Sequence, residues 1–309
     1  MKEGSLDAPV RHAIPWQGEE FYDSEKLDEE LRRVFDVCHG CRRCFNLCDS
    51  FPKLFDLIDD SKSGELDSVS SEDFKPVVNA CTLCDMCYMT KCPYVPPHEF
   101  NLDFPHLMLR YRAIQFKNGD IPFVNKELTK TDRNGKNFGK IASIVNWGSN
   151  RENLISRKIL ETTCDVHRDA SLPEFQKETF VKKQKNDPPS INTQAPAYGR
   201  KAVIYATCFV NYNNPSIGFA AQGVLNLNGV TTEVVYPSCC GMPQLEQGNI
   251  QEVASSAEKV AKELRSWVND GNDIIALTPS CALMLKFEWP LILPENEDVR
   301  ALSGATFDI

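Results

Sequence analysis

Two stretches decide how this chain is read: CHGCRRCFNLC over residues 38–48 and CTLCDMCYMTKCP over residues 81–93. Each opens with three cysteines at two-residue gaps, Cys38, Cys41 and Cys44 in one, Cys81, Cys84 and Cys87 in the other. Each closes on a fourth, Cys48 and Cys92. Three thiolates along one short turn of backbone can hold three corners of an iron–sulfur cubane, and the fourth iron needs a ligand from elsewhere. Where two such runs share a chain, the remote cysteine of each serves the other cluster. That rule assigns Cys38, Cys41, Cys44 and Cys92 to one [4Fe–4S] cluster, and Cys81, Cys84, Cys87 and Cys48 to a second. Structural zinc is the plainer alternative, but it uses paired knuckles and has no need of a third cysteine at this spacing. The second run ends in Cys-Pro after a four-residue gap, whereas the first has a three-residue gap and Asp49 in place of the proline. Neither departure removes a ligand.

The remaining composition fits this chemistry. The chain has 309 residues, 42% of them hydrophobic, which allows two domains of ordinary size. Its formal charge of −9 argues against a nucleic-acid groove, which needs clustered Lys and Arg. The first residues, MKEGSLDAPVRHAIPW, carry no apolar signal segment, and no apolar run approaches a bilayer span. Thirteen cysteines are then expected to serve metal binding or redox chemistry in the cytoplasm, with any membrane association through a partner.

Along the chain, residues 1–30 read as a polar arm and 31–117 as the cysteine-rich domain. The stretch over 56–73 reads as an acidic, Ser-rich loop, and residues 102–117 as a helix packed on the cysteine region. Residues 118–200 read as a helical extension, with a helix at 152–161, followed by a linker, KKQKNDPPSINTQAPAYGR. From 201 to 309 the pattern alternates. Strands are expected over 202–206, 231–236 and 273–277, with helices opened by Asn214-Pro215 and by Asn249. Strand–helix–strand repeats with short links predict a parallel sheet. The fold class is therefore α+β and multidomain: a helical two-cluster domain followed by an α/β unit.

In a parallel sheet the strand C-termini share one edge, where open α/β sheets bind ligands. Cys208 follows the first predicted strand, Cys239 and Cys240 the second, and Cys281 the third, at a helix start that favours a thiolate. These four are expected to converge on a third iron–sulfur cluster, a zinc ion or a redox-active thiol pair. The alternative is that they are small buried hydrophobes. Cys239 and Cys240 are the candidates for catalysis.

The order Cys208, Cys239-Cys240-Gly241, Thr278-Pro-Ser-Cys281 resembles the cysteine-rich CCG domain. That domain occurs in heterodisulfide reductase, in the C subunit of anaerobic glycerol-3-phosphate dehydrogenase and in glycolate- and lactate-oxidation iron–sulfur subunits. The 32 residues between Cys48 and Cys81 resemble the spacing in all-helical ferredoxin domains. Taken together, the chain looks most like iron–sulfur oxidoreductases of the glycerol-3-phosphate dehydrogenase C-subunit type. The resemblance implies an electron-transfer subunit that takes electrons from a flavin dehydrogenase or another redox subunit through two clusters. They would leave at the CCG site to an acceptor such as a quinone. Two departures stand out. Thr278 occupies the place of a family cysteine, and one CCG unit is present where members usually carry two. The chain is then a short form or a truncated product, or another subunit supplies the second half.

A second expectation is a thiol/disulfide- or peroxide-linked reductase working at Cys239 and Cys240. A cluster-based sensor bound to DNA is disfavoured by the acidic charge. Cys164 reads as structural, His39, inside the first cysteine loop, as hydrogen-bonded or exposed because the cysteine set is already full, and His98, His106 and His167 lack companions at metal-ligand spacing. Arg42 and Arg43 read as charges that raise a cluster potential, as a solvated face or as a docking patch. No Gly-rich phosphate loop follows the first strand, so no nucleotide cofactor is indicated.

Overall fold

The computed structural model describes residues 4–309 apart from 6 and 187, and the side chain of residue 91 is likewise left undescribed. The chain divides into two compact units, one of residues 1–121 with 244–251, the other of 122–243 with 252–309.

The first unit is helical. Asp23 accepts hydrogen bonds from the N–H groups of Glu25 and Lys26 at 2.9 and 3.1 Å, starting the helix Ser24–Cys41 inside the stretch read as an arm. Leu27, Leu31, Val34 and Phe35 form its buried stripe. Cys38 and Cys41 stand one turn apart near its end, which Arg42 closes in the left-handed conformation. The helices Ser50–Asp59 and Lys75–Ala80 follow the first cysteine run and precede the second. The Ser50 hydroxyl ties them by donating to the Val77 carbonyl at 2.7 Å. The helix Phe104–Asn118 brings the buried Arg112, which donates to the carbonyls of Val78, at 2.6 Å, and Cys81. Those oxygens end the helix before the second cysteine loop, where the Val78 carbonyl also accepts from the Cys81 N–H at 3.2 Å.

The segment before Ser24 is not a free arm. The Ser5 N–H donates to the Pro93 carbonyl at 2.8 Å and Val10 N–H to that of Pro96 at 3.0 Å. Arg11 runs between two carboxylates, Asp85 in the second cysteine loop and Asp103 at the start of the helix Phe104–Asn118. It also lies 4.7 Å over the Tyr88 ring.

The second unit holds a four-stranded sheet of β1 (Lys201–Tyr205), β2 (Thr231–Val235), β3 (Asp273–Ala276) and β4 (Thr306–Asp308). The order is β2-β1-β3-β4 and every pair is parallel. Three of these strands were expected; β4 is a three-residue edge strand with too little pattern to read. The helices Pro215–Leu227 and Ile250–Asn269 lie between strands as the sequence predicts.

The stretch read as extension and linker belongs to this unit's fabric. Phe180 is fully buried in one core with Ile204, Ala206, Val210, Ala221 and Leu277. The stretch read as a linker is tied down as well: Asn192 N–H donates to the Asn226 carbonyl, and Asn226 Nδ2 to that of Pro189, both at 2.9 Å. Its Pro and Asn content suits backbone fixed by turns as well as it suits a tether.

The helix Thr131–Lys140 approaches the helix Cys208–Tyr212 so closely that a Cβ on Gly135 would fall 2.4 Å from the Tyr212 ring. Gly135→Ala is expected to destabilise this unit by about 1–3 kcal/mol through overpacking. A thermal melt reads this, and an unchanged midpoint would show that the helix moves aside freely.

Candidate cysteine sites

Cys38, Cys41, Cys44 and Cys92 line one cavity, together with Phe51, Phe55, Tyr94 and Leu102. The remote cysteine of the second run therefore lies with the three close cysteines of the first. Burial pushes the Cys38 thiol up, and Cys92, Cys44 and Cys41 add to the shift as neighbouring thiolates. In the other set, burial raises Cys81 to about 11, with Cys48 and Cys84 near enough to contribute. Cys87 is raised by burial, and then by the neighbouring charges of Cys81, Cys44, Asp85 and Cys38.

Such thiols cannot all ionise against low dielectric and one another without a cation among them. Among the described residues no three His, Cys, Asp or Glu side chains converge at the spacing of a single metal ion. Thiolates around one zinc stand about 3.8 Å apart, the edge of a tetrahedron with Zn–S of about 2.3 Å. One of the two thiol sets rings a cavity walled by aromatic and aliphatic side chains.

The local backbone explains how the loops present their sulfurs. Leu83 and Asp85 both have positive φ, 51° and 60°, which costs roughly 1–2 kcal/mol each for non-glycine residues. The ion pair of Arg11 with Asp85, whose side chains are only 9% and 3% exposed, holds the loop there. Sequence reasoning missed Arg11, Asp85, Asp103 and Arg112, because their partners lie 31 to 92 residues away. Of the two arginines in the first run, Arg42 is paired with Asp59, which also accepts from His39. Arg43 lines the cavity.

The second site lies beyond the strand ends. Cys208 follows β1, Cys239 and Cys240 follow β2, and Cys281 follows β3. Because β1 sits between β2 and β3, this is a point where the strand order reverses, the usual ligand crevice of an open sheet. The sulfurs form two close pairs, Cys208 with Cys239 at 3.7 Å and Cys240 with Cys281 at 3.2 Å. Cys239, Cys240 and Cys281 are buried. Hydrogen bonds from Cys208 and Cys240 hold the Cys239 thiol well below its ordinary range, while those two neighbours are pushed up.

Surrounding groups fix the pair. The buried Tyr205 hydroxyl donates to the Ser238 carbonyl at 2.5 Å, and Trp289 Nε1 to that of Cys240 at 3.0 Å. Gly241 has φ +85°, which only glycine adopts without strain, and this accounts for the third letter of the Cys-Cys-Gly run. Thr278 is bonded hydroxyl to hydroxyl with Thr207 at 2.9 Å. Asp132, from the middle of the chain, accepts from the Cys239 N–H at 3.0 Å and from the Tyr236 hydroxyl. No sequence signal marked it, since 107 residues separate it from Cys239. Cys164 ends the helix Leu154–Cys164.

Residues 202–286 match the CCG family, described as a cysteine-rich domain. This part of the chain is a CCG domain. The chain is homologous to the C subunit of the anaerobic glycerol-3-phosphate dehydrogenase of Escherichia coli K12, 27% identical over 180 residues, or 58% of this chain and 43% of that protein. The citrate utilization protein B of Escherichia coli is 32% identical over 91 residues, covering 29% of this chain and 21% of that protein. Lactate utilization protein A of Bacillus pumilus is 27% identical over 116 residues, 35% of this chain and 46% of that protein. The chain thus spans less than half the length of these relatives. No solved structure matches it. Among the described residues no helix is long and apolar enough to cross a membrane.

Proposed function

We propose that the chain is an iron–sulfur electron-transfer subunit. Cys38, Cys41, Cys44 and Cys92 would hold one [4Fe–4S] cluster, and Cys81, Cys84, Cys87 and Cys48 a second. When bound, the clusters supply one-electron redox chemistry. The observation that carries this reading is the crossed grouping, with Cys92 around the same cavity as Cys38, Cys41 and Cys44. Phe51, Phe55 and Leu102 wall that cavity with apolar surface, and Arg43 on its lining favours added negative charge. Cys87 feels the charge of Cys81 in its own set and of Cys44 and Cys38 in the other, so the two sets are near enough to suit passage of electrons.

In this reading a dehydrogenase partner in the cytoplasm delivers electrons, as the relation to a dehydrogenase subunit supports. They leave by way of Cys208, Cys239, Cys240 and Cys281 to an acceptor such as a quinone. Iron, acid-labile sulfide and zinc per chain, counted on protein purified without oxygen, test it. About eight irons with matching sulfide are expected from two cubanes, and about twelve if the CCG thiols hold a third cluster. Zinc near two per chain with little iron would overturn the reading.

A second reading, thiol/disulfide- or peroxide-linked reduction at Cys239 and Cys240, is favoured by the close Cys240–Cys281 pair at 3.2 Å. In that case Cys240→Ser abolishes the activity, and activity surviving the exchange would exclude it.

A further inference from the structure

We infer that the helix Thr131–Lys140, outside the CCG match, completes the cysteine site. Thr131 and Asp132 are then positioning residues for a sulfur-ligated iron or zinc group on Cys208 and Cys239. The inference rests on the reading that the CCG thiols hold such a group.

Three observations lead to it. Asp132 Oδ2 accepts from the Cys239 N–H at 3.0 Å while its other oxygen accepts from Tyr236, so the carboxylate fixes the peptide that carries the vicinal thiols. Next, Thr131 Oγ1 is buried without a conventional hydrogen-bond partner, and so is Ser238 Oγ one residue before Cys239. A buried hydroxyl left unpaired is costly, so a native one is expected to have a partner. The Thr131 hydroxyl lies within hydrogen-bonding reach of the Cys208 and Cys239 side chains, which makes sulfur the natural acceptor. Last, Gly135 and Gly139 are both buried, and the missing side chain at Gly135 lets the helix lie against Tyr212. This contact sets Thr131 and Asp132, one turn earlier, at the sulfurs. Groups that orient a metal's ligands contribute roughly 10–100-fold to its affinity.

The full chain, purified without oxygen, provides the test. Iron, sulfide and zinc are counted with and without Cys240→Ser, and the difference is the metal held at the CCG thiols. Thr131→Val is expected to speed its loss to EDTA about tenfold. The same exchange should shift the sulfur-to-metal absorption bands, read on iron or on cobalt exchanged for zinc, and Thr131→Ser should restore both. Asp132→Ala is expected to act in the same direction, with Asp132→Asn milder. Unchanged rates and bands in both Thr131→Val and Asp132→Ala overturn the inference and leave the proposed function standing. A lower melting temperature without any shift of the bands also overturns it, because that is a merely structural role. If the wild-type chain holds no metal at these thiols, the inference falls, while about eight irons would leave the two-cluster reading standing.

Discussion

Exchanging Cys48 for serine is expected to halve the iron of the chain, from about eight to about four atoms, and the informative experiment is to add a second exchange. Combined with Cys84→Ser, it should remove little more, because both residues belong to one set. Combined with Cys41→Ser, it should take nearly all the iron. Pairs built on Cys92→Ser should behave in mirror image, sparing iron with Cys41→Ser and losing it with Cys84→Ser. The physical basis is the neighbourhood of each thiol: Cys48 acts on Cys81, while Cys92 shares a cavity with Cys38, Cys41 and Cys44. If the pairs follow sequence order instead, with Cys48 and Cys41 exchanges overlapping, each run closes on itself and the crossed arrangement is wrong. Iron and sulfide analysis alone decides between these patterns.

Arg11→Ala should be the most destabilising exchange among the charged residues of the first unit. The guanidinium is nearly buried and reaches two carboxylates at once, with Nε 2.8 Å from Asp103 and Nη2 3.0 Å from Asp85. Removing it takes the shared cation from the buried Asp85 and from the half-buried Asp103, which keeps His106, and breaking a buried pair costs about 3–5 kcal/mol. That is a large part of the roughly 5–15 kcal/mol that stabilises a typical domain. Arg11→Lys keeps the charge without the planar fork and should fall between. Denaturant titration of the three proteins measures the order, and equal midpoints would show that the contact adds nothing. Acid adds a second signature. Burial pulls the Asp103 carboxyl up, but the charge and hydrogen bond of His106, and then those of Arg11, outweigh it and hold the carboxyl well below the usual range. A carboxyl depressed in the folded state stabilises above its unfolded pKa of about 4 and loses that contribution as the pH falls below it. The wild-type unit should therefore weaken on acidification below about pH 4, and Arg11→Ala should flatten that limb.

Much of this molecule was legible in the order of its residues. The helix starts at Asn214-Pro215 and Asn249, and the three strands ahead of Cys208, Cys239 and Cys281, lie where apolar periodicity and capping residues put them. Such features depend on neighbours within a turn or a strand. The parallel sheet then followed from the alternation of elements, and it carried the four cysteines to one edge. The stretch before Ser24 and the stretch around 180–200 were read less well. Polar and proline-rich composition describes a segment that can stay solvated. It does not say whether backbone donors such as Ser5, Val10 and Asn192 will find carbonyls on another part of the fold.

By itself, the sequence determined the inventory: eight thiols in two close-spaced runs, four more after successive strands, and the glycine that the Cys-Cys-Gly turn requires. Spacing along a backbone of fixed geometry is enough for that. Only the tertiary structure decided which thiols share a cavity, that Arg11 holds the second loop through Asp85, and that Thr278 is bonded to Thr207. It also placed Asp132 on Cys239 from 107 residues away. Those contacts arise from packing between segments remote in the chain, and no local pattern of residues encodes which remote partner a buried charge or hydroxyl will meet.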